Sequence, residues 1–187
     1  MLSHGFSEIE WSLSPDKKGA MNLFLGGRAI HSTYDVMHHA QHSAQKIAST
    51  IKEKKHTTPI IIGLGIGLLP HHLHALGIHK GIIWDIFPAM SNHLPTPKDP
   101  WHKDFSIATS FSELCAAIKN DITPMLTPHV IIHPGYEPYC RMEYRLLLKH
   151  LRTIFPSSKP RTYEDFVVNE RSLQNLTLLP FTKPLHL

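Results

Sequence analysis

Pro59-Ile60-Ile61-Ile62-Gly63-Leu64-Gly65-Ile66-Gly67-Leu68 is the stretch from which the fold of this 187-residue chain can be read. Three consecutive isoleucines with no polar alternation read as a strand buried on both faces, the kind found inside parallel sheets. Glycines at 63, 65 and 67 then supply a turn with backbone freedom that other residues lack. A helical pattern resumes from Leu68 to Leu76, with Pro70 tolerated in its first turn and Gly77 placed as its C-cap. A second run, Gly81-Ile82-Ile83-Trp84-Asp85, reads as a second buried strand that ends on a carboxylate.

Moving downstream, Phe105 to Thr109 reads as a third strand. Ser110-Phe111-Ser112-Glu113 is a capping box ahead of a helix from Glu113 to Asn120. His129-Val130-Ile131-Ile132-His133 is a fourth strand stopped by Pro134-Gly135, and Arg141 to Phe155 is a helix with Tyr144, Leu147, Leu148 and Leu151 on one face. Upstream, Asp35 to Lys54 is amphipathic, with Val36, Ala40, Ala44, Ile47, Ala48 and Ile51 recurring at three or four residues. Before it, Glu8–Leu13 and Met21–Leu25 flank the turn residues 14–19 as a β-hairpin, and Gly26-Gly27 allow a second reversal into Arg28-Ala29-Ile30.

Alternating strands and helices predict an α/β fold: a Rossmann-like, methyltransferase-type, mostly parallel sheet with helices on both faces, behind a small N-terminal hairpin or meander. The expected divisions are 1–34 for the meander, 35–160 for the Rossmann-like domain, and 161–187 for a C-terminal helix and tail. Pro88 to Trp101, rich in proline, reads as a long irregular loop.

Composition narrows the function. With 42% hydrophobic and 18% charged residues the chain is globular, and no apolar run reaches the roughly 18 residues of a membrane span. Met1-Leu2-Ser3-His4 lacks the basic start and apolar stretch of a secretory signal, so a cytoplasmic protein is expected. The net charge of +4 is dispersed, and its dense stretch, Lys52-Glu53-Lys54-Lys55, suits a helix C-terminus. Without a basic stripe and interleaved aromatics, no nucleic-acid partner is expected. The two cysteines, Cys115 and Cys140, form no disulfide framework and have no partners at metal-ligand spacing. The 16 histidines are scattered and predict acid sensitivity. His71, His72 and His74 read as solvated helix surface, and no metal site is expected. Trp84 and Trp101 read as core or lid packing.

A parallel α/β sheet presents its ligand site at the carboxyl ends of its strands, where strand order reverses. That places Gly63, Gly65, Gly67 and Asp85 as the candidate cofactor-binding residues. Bare glycine backbone and a helix N-terminus would meet the ligand, and the strand-final carboxylate would accept ribose hydroxyls. His133, Tyr136 and Glu137, after the fourth strand, are candidate substrate-facing residues. Asp35 reads as a helix N-terminal carboxylate. No nucleophile and base pair off, so no catalytic residue is assigned.

The Gly-x-Gly-x-Gly rhythm resembles the first motif of S-adenosylmethionine-dependent methyltransferases, except that Gly63 stands where those enzymes usually carry an acidic residue. The resemblance implies S-adenosylmethionine or another nucleotide-type ligand. Leu25-Gly26-Gly27-Arg28-Ala29-Ile30-His31-Ser32-Thr33-Tyr34-Asp35, the glycine loop and His133-Pro134-Gly135-Tyr136 together resemble the N-terminal region of the motility-associated-factor glycosyltransferases, bacterial proteins that attach nonulosonic acid sugars to flagellins. The resemblance runs from about Leu23 to Leu178 and includes a segment with Asn169 and Asn175 similar to the family's link into its catalytic domain. Val36 replaces a family proline, and His39-Ala40 an acidic pair. The family's large catalytic domain has no counterpart in this chain. The resemblance therefore implies a cytoplasmic accessory module with a glycosyltransferase or flagellin-related partner, rather than sugar transfer itself. Three readings stay open: a small-molecule-binding or accessory module, a methyltransferase, and a protein-interaction domain with an empty glycine loop.

Overall fold

The computed structural model describes residues 9–53, 56–88, 99–122 and 126–155. The expected C-terminal helix and most of the proline-rich loop lie outside them. Among the described residues there are two sheets, a three-stranded N-terminal one and a four-stranded one.

The N-terminal sheet is antiparallel and consists of β1 (Trp11–Pro15), β2 (Met21–Leu25) and β3 (Arg28–Ala29). β1 pairs with β2 from Trp11 opposite Leu25 to Pro15 opposite Met21. The first strand runs later than the sequence pattern suggests because Asp16 closes the turn. Its Oδ1 accepts the amides of Lys18 and Ala20, both at 2.8 Å, and its own amide donates to Ala20 O, so the ladder extends through Pro15.

α1 (Val36–Glu53) buries the six small and apolar positions its periodicity picked out. Two carboxylates serve its free N-terminal amides. Asp35 Oδ1 accepts from His38 N at 2.9 Å, and Asp16 Oδ2 accepts from Val36 N at 2.7 Å across 20 residues of sequence. The meander is thereby fastened to the helix that opens the main domain.

The main sheet contains β4 (Thr57–Ile62), β5 (Gly81–Trp84), β6 (Phe105–Ala108) and β7 (Thr127–Ile132), all parallel, in the order β6-β5-β4-β7. The chain builds outward from β4 through β5 to β6, then crosses back to place β7 on the other side of β4. This is the Rossmann-like order, and its reversal lies between β4 and β7. Pro59 is tolerated in a central strand because β5 pairs with β4 only from Ile60 onward.

Side chains alternate across the sheet. Ile60, Ile62, Ile82, Trp84, Val130 and Ile132 face one core with α3 (Phe111–Asp121) and α4 (Arg141–Ile154). Ile61, Ile83 and Ile131 face the other, with α1 and α2 (Leu68–Ala75). Leu23 and Leu25 of β2 complete the first core, which makes the meander part of the packed structure. Trp101, in a 3-10 turn Pro100–Lys103, is fully buried in the second core, and Trp84 is buried in the first. Both tryptophans are core packing.

The capping box forms with a shift of one residue. Ser110 Oγ accepts from Glu113 N, while the Glu113 carboxylate takes the amide and hydroxyl of Thr109 at 2.8 Å each. α2 ends in a Schellman closure around Gly77, with Ile78 N donating to Leu73 O and Gly77 N to His74 O. Among the described residues, no helix is long and apolar enough to cross a membrane.

Candidate functional site

The site lies at the carboxyl ends of β4 and β7, where the strand order reverses. Gly63, Gly65 and Gly67 all hold positive φ, at 91°, 62° and 82°, a region in which side chains are strained. Gly63 N donates to Trp84 O, which ties the start of the loop to β5.

The loop is occupied by the protein itself. A Cβ on Gly63 would stand 2.5 Å from Cγ and Cδ1 of Tyr136, so the phenol ring packs directly against bare backbone. The Gly65 amide donates to the Tyr136 hydroxyl at 3.0 Å. A Cβ on Gly65 would meet Ile30 Cδ1 at 3.0 Å and His133 Nε2 at 3.3 Å. Behind these residues, Gly135 packs so closely on the meander that a Cβ there would lie 2.4 Å from Ile30 Cα. Glycine at 63 and 135 therefore permits close contact between protein segments.

Of the expected site residues, the structure brings Gly63, Gly65, His133 and Tyr136 into one contact group. Tyr136 is fully buried with its ring in the loop, and burial followed by the nearby Asp85 charge pushes its hydroxyl well above the usual phenol range. Gly67 is the N-cap of α2. Asp85 is buried at the end of β5, where its Oδ1 accepts from Phe87 N at 3.1 Å. Glu137 is half-buried on the turn beyond Tyr136. The face of Gly63 that an S-adenosylmethionine or nucleotide would approach is packed against the Tyr136 ring, and that of Gly65 against Ile30 and His133.

Histidines surround the filled loop. His31 Nδ1 and His39 Nδ1 are 3.3 Å apart, and the rings of His31 and His133 meet edge to face at 5.1 Å. The Nε2 atoms of His31 and His72 and both ring nitrogens of His133 are buried and have no hydrogen-bond partner among the described residues. Burial first, then the neighbouring His39 and His72, lowers His31 to about 4. His133 is also held well below its ordinary value, by burial and then by His31 and His39. His31 and His133 are therefore neutral near pH 7, and in the His31–His39 contact one Nδ1 donates and the other accepts. Burial, with Glu143 and Glu137 adding to it, pushes the Cys140 thiol up to about 12. The thiol and the phenol stay protonated and the two buried imidazoles are weak bases, so these four groups suit binding better than proton transfer near neutrality.

Sequence reasoning placed His133 at the site but did not bring His31, His39 and His72 to it, because the group is assembled from the meander, α1, α2 and the end of β7. It also took His71, His72 and His74 as helix surface. Instead His74 Nδ1 contacts Asp104 Oδ2, and His79 Nδ1 reaches the same oxygen at 2.9 Å. His74-x4-His79 spacing was the available signal, but the carboxylate comes from a distant turn.

No family model and no curated protein matches the sequence, so the motility-associated-factor resemblance finds no matching family model. Among solved structures, the crystal structure of MNMC2 from Aquifex aeolicus is similar at 16% identity and a TM-score of 0.35, over 74% of this chain and 46% of that one. The chain thus spans less than half the length of that structure.

Proposed function

We propose that this chain is a noncatalytic accessory module of Rossmann-like fold that acts by binding, its glycine loop serving as an internal joint rather than a nucleotide cradle. One observation carries the reading: the Tyr136 ring lies on Gly63 while its hydroxyl takes the Gly65 amide. Those are the bare backbone and the donor that a nucleotide-type ligand would use. The setting comes from the resemblance of Leu25–Asp35 and His133–Tyr136, namely a cytoplasmic role in bacterial surface or flagellin glycosylation beside a glycosyltransferase or flagellin-related partner.

A thermal melt of the whole chain tests it. S-adenosylmethionine, S-adenosylhomocysteine and a nucleotide sugar, each at millimolar concentration, are expected to leave Tm unchanged, since only a ligand of the native state raises it. A rise that Asp85→Ala abolishes would overturn the reading in favour of an S-adenosylmethionine-binding methyltransferase. That second reading is supported by the position of Asp85, buried at the carboxyl end of β5. It requires the Tyr136 ring to leave the loop, so Tyr136→Ala would then tighten binding.

A further inference from the structure

We propose that His74, His79 and Asp104 form a site for one divalent transition-metal ion of the zinc class, clipping together three chain segments at the end of the sheet opposite the glycine loop. Nδ1 of His74, Nδ1 of His79 and a carboxylate oxygen of Asp104 all lie within 4.8 Å of one another. Each comes from backbone already fixed by hydrogen bonds. His74 is in the last turn of α2, and the Schellman closure around Gly77 sets its distance from His79. Gly81 N donates to Asp104 O at 3.2 Å and Asp104 N to Trp101 O at 3.0 Å, which locks the start of β5 against the turn that leads into β6. The two imidazole rings stand nearly perpendicular, with centroids 4.9 Å apart, and both turn Nδ1 toward the same carboxylate oxygen.

Two imidazole nitrogens and one carboxylate oxygen suit zinc and its transition-metal neighbours, whereas magnesium and calcium prefer all-oxygen sets. An ion about 2.1 Å from each donor would sit on the triangle they define and keep a position for water. The side chains of His74, His79 and Asp104 are 28%, 59% and 18% exposed, so an ion can enter from solvent. The site lies at the starts of β5 and β6, away from the strand ends that carry Tyr136 and Asp85, which makes its role structural and independent of the proposed function.

The test is zinc uptake by the metal-stripped whole chain, measured by equilibrium dialysis at micromolar zinc and paired with thermal melts. One equivalent is expected, with a raised Tm, and magnesium is expected to do neither. His79→Ala, at an exposed position that folding tolerates, should weaken uptake at least about tenfold and abolish the Tm rise. Asp104→Asn should do the same, while His71→Ala and His31→Gln retain both. Cobalt in place of zinc should give visible ligand-field bands that His79→Ala removes. No uptake at micromolar zinc would overturn the site and leave a hydrogen-bonded His–Asp–His group. Uptake unchanged by both His79→Ala and Asp104→Asn would overturn it too, by placing the ion on other histidines.

Discussion

The Tyr136 hydroxyl accepts the Gly65 amide at 3.0 Å across 71 residues of sequence. The bond joins the turn after β7 to the turn after β4 and satisfies a buried donor at the strand-order reversal. Tyr136→Phe removes the acceptor and keeps the ring. It is expected to cost about 1–3 kcal/mol, the penalty for a buried amide left unpaired. Chemical denaturation would measure it, and an unchanged midpoint would mean that another group satisfies Gly65.

Gly63→Ala tests the ring contact. A side chain at φ 91° is strained, and its Cβ would stand 2.5 Å from the phenol ring. The two effects together are expected to cost roughly 2–5 kcal/mol. In a Tyr136→Ala background the overlap is gone and only the backbone strain remains, so the two substitutions should be markedly non-additive. Simple additivity in a double-mutant cycle would show that the ring and the loop are not in contact.

Acid should destabilise the protein through His31 and His133. The folded-state pKa of His31 is lowered to about 4, by burial first and then by His39 and His72, and that of His133 lies well below its ordinary value, by burial first and then by His31 and His39. The unfolded chain therefore binds more protons below its histidine pKa near 6.5. The stability from keeping these rings neutral is complete above that pH and is lost as pH falls below it, for His31 toward 4 at up to about 1.4 kcal/mol per pH unit. Protonating both His31 and His39 would leave their hydrogen bond without an acceptor and set like charges on rings whose Nδ1 atoms are 3.3 Å apart. His31→Gln is expected to flatten the loss between pH 6.5 and 4 in denaturation curves. Curves parallel to wild type would refute the assignment.

Asp16→Ala should lower Tm at neutral pH by releasing three amides at once, those of Lys18, Ala20 and Val36. The hydrogen bond from Val36, the first of the causes, holds the Asp16 carboxyl below its ordinary value. The stabilisation is therefore present above the unfolded carboxyl pKa and lost as pH falls through the lower folded value. The difference in Tm between wild type and variant should accordingly narrow in strong acid. A constant difference would mean that Asp16 acts by shape alone.

Much of the architecture was legible because each main-sheet strand is a short apolar run closed by glycine, proline or a polar turn. Ile60–Ile62 and Gly81–Trp84 were identified on that signal, and α1 was read to within a residue at each end from its alanine and isoleucine spacing. The β1 boundary was misplaced because the Asp16 turn forms through side-chain bonds to amides that residue type alone does not reveal. The glycines of the loop were legible as backbone needing freedom. What that freedom admits was not, since a bound nucleotide and a phenol ring from a later turn call for the same bare Cα. The groupings of His74, His79 and Asp104, and of His31, His39, His72 and His133, were hidden for a related reason. Each depends on members that β-strand register and helix packing bring in from distant segments, and no local pattern encodes those contacts.

The contact of Ile30 with Gly135 bears on how the protein matures. Strands β1 to β3 are the first of the described elements to leave the ribosome, yet the surface against which they close belongs to a turn made roughly a hundred residues later. Through most of synthesis Leu23, Leu25 and Ile30 lack their final neighbours, so productive folding waits for a late, long-range closure of the kind that slows folding and lengthens exposure to aggregation.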